Sequence, residues 1–214
     1  MQGVNENKLR RAITLRNNQT YVRGVVTLKF LIFLILGIIL GVAFFNTSYV
    51  DKSAIDIIAI KRHFEGIFVG CETFSEVLLT VLMLSELEIR YLFLIFVSGF
   101  TYFCFIVSGL MLFGKGFLFG GALSALAYLS RDPRDYVSGR VIVAYLIFNL
   151  ISSLILISMS ASAYIFSFDF STIKRNHFVL RRAPIIYKYS FSLILSLGGL
   201  IINNFLYCLF FYLL

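Results

Sequence analysis

Charged residues are scarce in this chain of 214 residues: Asp, Glu, Lys and Arg make up 14% of it, against 59% hydrophobic residues. An ordinary soluble domain carries roughly 25% charged residues. A chain of this size also cannot hide so much apolar surface in one aqueous core. The scarcity of charge excludes a water-soluble globular protein and indicates that lipid is the solvent for much of the chain.

Residues with ligating or nucleophilic chemistry are also few. The three cysteines, Cys71, Cys104 and Cys208, form no C-x-x-C pair, and the two histidines, His63 and His177, lie far apart in the sequence. This pattern predicts neither a metal site nor a disulfide framework. No G-x-S-x-G, H-E-x-x-H, P-loop or G-x-G-x-x-G motif occurs in the chain. We therefore predict no catalytic residue, no cofactor and no metal, and a protein that is not an enzyme.

Long uncharged runs are what the chain has in abundance. Four runs of 21 to 28 residues, and a fifth of 15, interrupt the charged positions. A helix needs roughly 20 apolar residues to cross a bilayer, so the four long runs suffice and the short one must borrow length or dip in partway. We predict an all-α, polytopic membrane protein with about five transmembrane helices. The predicted spans are residues 30–50, 91–114, 116–130, 141–168 and 189–214.

The net charge of +8 is distributed as membrane topology requires, and not as a nucleic-acid-binding face. Six of the 19 basic residues precede the first span and five lie between the last two spans. Positively charged short loops stay in the cytoplasm. We therefore predict a cytoplasmic basic arm over 1–29, a single transmembrane domain over 30–214 and a cytoplasmic loop that includes Lys115. The bilayer of a bacterial cell membrane is the predicted partner, with no nucleic acid and with the oligomeric state left open.

The acidic segment 51–90 is predicted to be external and to contain an amphipathic helix over 62–85. Glu72 and Glu76 lie one helical turn apart on its polar face. Two carboxylates in its middle make a full crossing costly, so we expect the helix to lie in the outer interface or to insert halfway. The two acids are interpreted as a wet face, and as a candidate contact surface for a partner.

Small and amide residues mark the predicted spans. Two G-x-x-x-G pairs occur, Gly37 with Gly41 and Gly116 with Gly120, and Asn149, Asn203 and Asn204 lie inside spans. Small residues let helix backbones approach closely in lipid, either within this bundle or against a partner. The buried amides either bond a neighbouring helix or line a pathway. No charged residue or histidine lies inside a predicted span, which argues against a proton-coupled carrier.

The order of these features resembles the stage II sporulation protein M family of bacterial membrane proteins. Three stretches carry the resemblance: Leu-Gly-Ile-Ile-Leu-Gly-Val-Ala-Phe-Phe-Asn at 36–46, Leu-Met-Leu-Phe-Gly-Lys-Gly-Phe-Leu-Phe-Gly-Gly at 110–121, and Tyr-Leu-Ile-Phe-Asn-Leu at 145–150 leading into the small-residue stretch 160–167. Members of the family often carry Pro-Gln just before the asparagine, where this chain has Ile147-Phe148.

The resemblance implies a polytopic protein without catalytic activity of its own. Family members act in engulfment of the forespore together with the peptidoglycan-cleaving stage II sporulation proteins D and P. The resemblance implies structural or partner-contact roles for Gly37, Gly41, Asn46, Lys115, Gly116, Gly120 and Asn149.

Two functions remain open from the sequence. The first is a non-enzymatic membrane scaffold or localisation factor, with roles in sporulation engulfment. The second is the membrane subunit of a permease-like transporter with a polar site near Asn149, which the short span 116–130 favours because short or Gly-interrupted segments can mark a binding site at the membrane midplane.

Overall fold

The computed structural model describes residues 3–49, 74–129, 139–175 and 182–212. Over these residues the chain forms five α-helices and one short turn, so the all-α prediction is confirmed for the described part of the chain. The helices are α1 (Gly3–Tyr49), α2 (Phe74–Ser98), α3 (Cys104–Leu129), α4 (Gly139–Arg175) and α5 (Arg182–Tyr212).

Four of the five helices contain a segment long and apolar enough to cross a membrane, which indicates a membrane protein. These segments are Tyr21–Thr47 in α1, Cys104–Ala127 in α3, Ile142–Ser171 in α4 and Pro184–Phe210 in α5. The remaining helix, α2, has a comparable length of 25 residues but carries four charged residues: Glu76, Glu86, Glu88 and Arg90.

The predicted break between the second and third spans at Lys115 is wrong. Helix α3 runs without interruption through Lys115, and the break falls instead at 99–103. There the amide N–H of Gly99 donates to the carbonyls of Ile95 and Phe96, and Thr101 donates to Ser98, which closes a turn. A charged side chain does not end a helix when the bundle supplies a counter-charge, and Lys115 has one. The predicted spans 91–114 and 116–130 are therefore replaced by the second part of α2 and by α3.

The predicted amphipathic helix over 62–85 is also corrected. Helix α2 begins at Phe74 and continues to Ser98, through the predicted start of the second span at residue 91. Residues 62–73 lie outside the described part of the chain. Helix α2 packs along α3, α4 and α5 within the bundle, so it is not an isolated helix on the bundle surface.

Three other helices extend the predicted spans. Residues 30–49 of the first predicted span form the second part of α1, which is one helix from Gly3 onward, so no helix boundary lies between residues 29 and 30. Helix α4 contains the span 141–168 and α5 contains most of the span 189–214. The cytoplasmic location of the arm stays a prediction.

Consecutive helices alternate in direction. Helix α2 runs antiparallel to α3, because Ser98 lies beside Ser108 while Glu88 reaches Lys115 further along α3. Helix α4 is antiparallel to α5, because Phe166 stacks on Tyr189 while Phe148 meets Tyr207. The same reasoning from the ring pairs Phe105–Tyr164 and Phe119–Tyr145 makes α3 antiparallel to α4.

Helices α1 and α3 run parallel and in close contact. A Cβ atom added at Gly37 would overlap the carbonyl oxygen of Phe113, and one added at Gly41 would overlap that of Phe117. The start of α1, the turn 99–103, the end of α4 and the start of α5 therefore lie at one end of the bundle. The ends flanking 50–73 and 130–138 lie at the other.

Candidate functional site

Helix α2 presents a narrow buried face to the rest of the bundle. Among the α2 side chains that the structure describes, the buried ones are Val81, Ser85, Glu88, Leu92, Ile95 and Ser98. Steps of four or three residues keep them on one side of a helix. Glu88 thus points inward together with leucine and isoleucine, so the bundle must supply its counter-charge.

Lys115 of α3 supplies that counter-charge. Its Nζ lies 2.5 Å from Oε1 of Glu88, and both side chains are only 8% exposed. Glu88 is 14 residues from the start of α2 and 10 from its end. At about 1.5 Å per residue, the ion pair lies roughly 21 Å and 15 Å from those two ends. The pair is therefore deep inside the bundle along its length.

Two asparagines complete the cluster. Asn204 of α5 donates from Nδ2 to Oε2 of Glu88 at 3.1 Å and to the hydroxyl of Ser85 at 2.9 Å. Asn149 of α4 accepts from Lys115 Nζ through Oδ1 at 3.1 Å. The cluster thus joins α2, α3, α4 and α5. Each of these helices is mostly apolar, and each contributes one or two polar side chains that meet in the folded bundle.

The backbone of α4 extends this polar cluster. Asn149 donates from Nδ2 to the carbonyl of Tyr145, and its own carbonyl accepts from Ser152 and Ser153. One residue away, Asn203 donates to the carbonyl of Phe148 at 3.0 Å. Both carboxylate oxygens of Glu88, and both the oxygen and the nitrogen of the Asn149 side-chain amide, thus have partners within the protein.

The buried ion pair is favourable only because its two charges are in close contact and have further hydrogen bonds. Taking an isolated charge out of water is very costly, and a buried ion pair recovers the cost only with close contact and further hydrogen bonds. Glu88 and Lys115 have both. The pair can hold four helices in one register, and it can also serve as an ionisable site within the bundle.

Lys115 occupies a different position from the one predicted. It was expected in a cytoplasmic loop, but it lies buried within α3. The statement that no charged residue lies inside a span is also wrong, because the apolar segment Cys104–Ala127 contains Lys115. The absence of intramembrane charge therefore does not count against a carrier. Asn149 lies where the sequence put it, within an apolar helix, and contacts Lys115.

The four predicted glycines lie together in a different place, at the contact between α1 and α3. A Cβ added at Gly116 or Gly120 would overlap the backbone carbonyl of Leu34 or Ile38 in α1. Gly37 and Gly41 make the reciprocal approach from α1. The contact is backbone against backbone, as small residues allow in lipid.

Of the remaining predicted residues, the structure describes the side chain of Asn46, which does not join the cluster. Asn46 is exposed near the end of α1. Glu76 is in the first turn of α2, and Glu72 lies outside the described residues, as do Cys71, His63 and His177. Among the residues that the structure describes, no group of three or more His, Cys, Asp or Glu side chains could hold a metal ion.

Sequence reasoning missed Glu88, Ser85 and Asn204 as members of one site. Glu88 is missed because a charge beside an apolar run indicates the end of a span, and Ser85 and Asn204 are missed because they bond each other from different helices. Two signals pointed to the site: Lys115 has apolar residues on both sides over the 24-residue segment Cys104–Ala127, and Glu88 shares a helical face with Leu92 and Ile95.

Comparison of the chain with models of protein families, with curated proteins and with solved structures finds no match. The resemblance to the stage II sporulation protein M family therefore stays a prediction.

Proposed function

We propose that the chain is a non-enzymatic membrane scaffold that crosses the bilayer five times, with its N-terminus in the cytoplasm, and that α2 is the second crossing. The parallel arrangement of α1 and α3 supports this topology. If both apolar helices cross in the same sense, the chain between them must return, and α2 runs antiparallel to α3 over a crossing length of 25 residues.

The three charges near the middle of α2 are each paired with an opposite charge, which lowers the cost of this crossing. Glu88 is neutralised by Lys115, and Glu86 and Arg90 form an ion pair one turn apart. The crossing count also keeps the basic segments together. Lys174 and Arg175 end α4 and Arg182 begins α5, at the same end of the bundle as the basic start of α1. This grouping agrees with the positive-inside rule.

The observation that carries the scaffold function is the closure of the polar cluster. Glu88 is bonded to Lys115 and Asn204, and Asn149 is bonded to Lys115 and to its own helix. The polar groups of these side chains bond other groups of the protein and hold the helices together. This favours a bundle of fixed shape over one that binds and releases a solute. A fixed bundle is what an anchor for other proteins requires.

The resemblance suggests what is anchored. We propose a role in forespore engulfment, with the wall-cleaving stage II sporulation proteins D and P as partners on the external side. In the proposed topology the segment 50–73 and the first turn of α2 are external, so Glu72 and Glu76 are on the side of the membrane where such partners act. Acidic side chains there would meet basic groups of a partner.

A deletion in the native host tests this role. Loss of the gene should stop septal membranes from migrating around the forespore, and wild-type protein should restore migration. The double variant Glu72→Lys/Glu76→Lys should fail to restore it and should recover less of proteins D and P in affinity purification. A variant with Asp169→Lys, at an exposed acid near the end of α4 and therefore at the opposite end of the bundle, is the matched control. Normal engulfment in the deletion strain would contradict the role.

Topology has its own test. Tyr102, in the turn 99–103, is 80% exposed. A Tyr102→Cys variant should be protected from a membrane-impermeant thiol reagent in intact cells and should react in inverted vesicles. Native Cys71, in the external segment, should behave in the opposite way. Reaction of both from outside would overturn the five-crossing topology.

A transporter subunit is the second candidate, because the buried ion pair lies next to Asn149, where a polar site was predicted for it. Reconstituted vesicles under a pH gradient would report proton movement with an internal dye. Movement in the wild type that Glu88→Gln abolishes, with Lys29→Gln as control, would favour transport over the scaffold. Absence of movement would leave the scaffold function in place.

A further inference from the structure

Helix α2 carries a second ion pair on its outward face. Arg90 bonds to Glu86 one turn earlier, and the two side chains are 69% and 61% exposed. Both residues are within two positions of the buried Glu88, so they lie near the middle of α2. The exposed pair is therefore at the same depth in the bundle as the Glu88–Lys115 pair.

Lipid is a poor neighbour for these two side chains. A guanidinium has five N–H donors, and a carboxylate accepts about four hydrogen bonds. The hydrogen bond between Arg90 and Glu86 uses one donor and one acceptor site. If α2 crosses the membrane, as proposed above, acyl chains offer the remaining groups nothing, and intramembrane charges characteristically find protein partners.

The exposed pair belongs to a regular seam. Six outward positions recur at alternating steps of four and three residues: Leu79, Met83, Glu86, Arg90, Phe93 and Val97. The apolar members are between 44% and 65% exposed. This spacing is the heptad pattern through which one helix packs along another. We call these six residues the α2 seam.

We propose that the α2 seam is the interface between two copies of this chain, related by a two-fold axis along the membrane normal. The proposal rests on the proposed crossing of α2. In a two-fold interface the same patch meets itself, so the α2 helices run parallel and Glu86 of each copy reaches Arg90 of the other. Four charges of alternating sign then surround the axis.

Charge complementarity selects a second copy over another partner. Rotation about the membrane normal keeps Glu86 and Arg90 at their own depths, and in parallel heptad packing Arg90 of one copy contacts Glu86 of the other, one turn earlier along the seam. The four apolar members flank the charges on both sides and provide the packing surface above and below. The two copies together also supply each guanidinium with a second carboxylate.

Charge-swapped pairs of copies provide the sharpest test. Glu86→Arg leaves the seam with two bases, and Arg90→Glu leaves it with two acids. Each variant expressed alone should dimerise about 10-fold or more weakly than wild type, because like charges face each other across the axis. Co-expression of the two variants under different affinity tags should restore pairing, now between unlike copies. Single-molecule photobleaching in native-lipid particles measures each state.

A photo-crosslinking amino acid in the otherwise unchanged protein avoids dependence on the folding of charge variants. Placed at Met83, in the seam, it should yield crosslinked dimers. Placed at Ile194 of α5, which is 64% exposed against 65% for Met83, it should not. Crosslinks from Ile194 alone would overturn the proposal.

Other outcomes also decide the matter. A monomeric wild type in native-lipid particles, or charge variants that dimerise as wild type does, would overturn the proposal. Crosslinks from Met83 to a different protein would replace the second copy by a hetero-partner and overturn it as well. Failure of the topology itself is seen separately, in the labelling of Tyr102→Cys, so the two failures are distinguishable.

Discussion

Helix α3 is held by two unlike contacts on its two sides. Toward α1 it presents Gly116 and Gly120, and the two backbones touch without any charged group. Toward α2 and α4 it presents Lys115, which is bonded to Glu88 and Asn149. The first contact gains dispersion energy from close approach, and the second gains from neutralising charge where water is excluded.

The difference teaches how each contact tolerates change. The glycine contact is sensitive to added volume, because an extra atom would overlap a backbone carbonyl. It is not sensitive to loss of charge, because its residues carry none. The polar cluster is sensitive to loss of charge, because removal of Glu88 or Lys115 leaves the other charge buried without its counter-charge. Conservative substitutions should therefore separate the two contacts by the size and sign of their effects.

The largest expected effect is the removal of one partner of the buried ion pair. Lys115→Met should lower the free energy of unfolding by about 3–5 kcal/mol, because it leaves the Glu88 carboxylate buried and unpaired. The double variant Glu88→Gln/Lys115→Met should recover most of that loss. Reversible unfolding in mixed detergent micelles measures both.

Lys29→Met, at an exposed lysine of α1, is the control for loss of a cation and should change little. Equal losses for the single and double variants would show that the pair has no coupling and that the polar cluster does not act as a unit.

The next effect should come from the glycine contact. Gly37→Ala and Gly120→Ala should each cost about 1–3 kcal/mol, because the new methyl group meets a backbone carbonyl and the helices must separate. The matched controls are Gly24→Ala in α1 and Gly121→Ala in α3, where nothing lies within 4 Å of the added Cβ. These controls should be neutral or slightly stabilising. Similar losses at all four glycines would remove the distinction between contact and non-contact positions.

Asn204→Leu should have a smaller effect, of about 1–2 kcal/mol, because one carboxylate oxygen of Glu88 and the hydroxyl of Ser85 lose their donor. Its effect should be less than additive with Ser85→Ala, since the two residues share a hydrogen bond. Asn46→Leu, at an exposed asparagine, should be nearly neutral under the same assay. Full additivity would argue that the hydrogen bond contributes nothing.

Tyr189→Phe should give the smallest loss, about 0.6 kcal/mol, which is typical of one interhelical hydrogen bond. The hydroxyl of Tyr189 donates to the carbonyl of Phe96 at 2.7 Å, while its ring stacks on Phe166 and Phe96 and is kept in the variant. Tyr187→Phe, at a side chain that is 72% exposed, is the control. A loss of several kcal/mol at Tyr189 would show that the aromatic packing depends on the hydroxyl.

The sequence predicted the helices whose surroundings are uniformly apolar. Residues 30–49 of the first predicted span lie within α1 and the span 141–168 lies within α4, because length and hydropathy are local properties of the sequence. Prediction failed where a charge had to be interpreted. The sequence predicts a span that ends at Arg90 and Lys115, yet Arg90 pairs within its own helix and Lys115 pairs with Glu88 of α2.

The candidate site was predictable in part. Asn149 stood out because an amide in an apolar helix needs a partner. Asn203 and Asn204 stood out for the same reason, but Glu88 did not, because its role depends on a contact with Asn204, 116 positions away in the chain. Neither periodicity nor composition identifies which of several polar side chains on different helices will meet.

By itself the sequence determined that this chain is helical and that its solvent is largely lipid, since composition and run length decide both. The tertiary structure alone decided where the second helix ends and which way α1 and α3 run relative to each other. It also decided that Lys115 is buried within the helix bundle. The physical reason is that the cost of burying a charge is set by its neighbours. Those neighbours are distant in sequence and come together only when the bundle is formed.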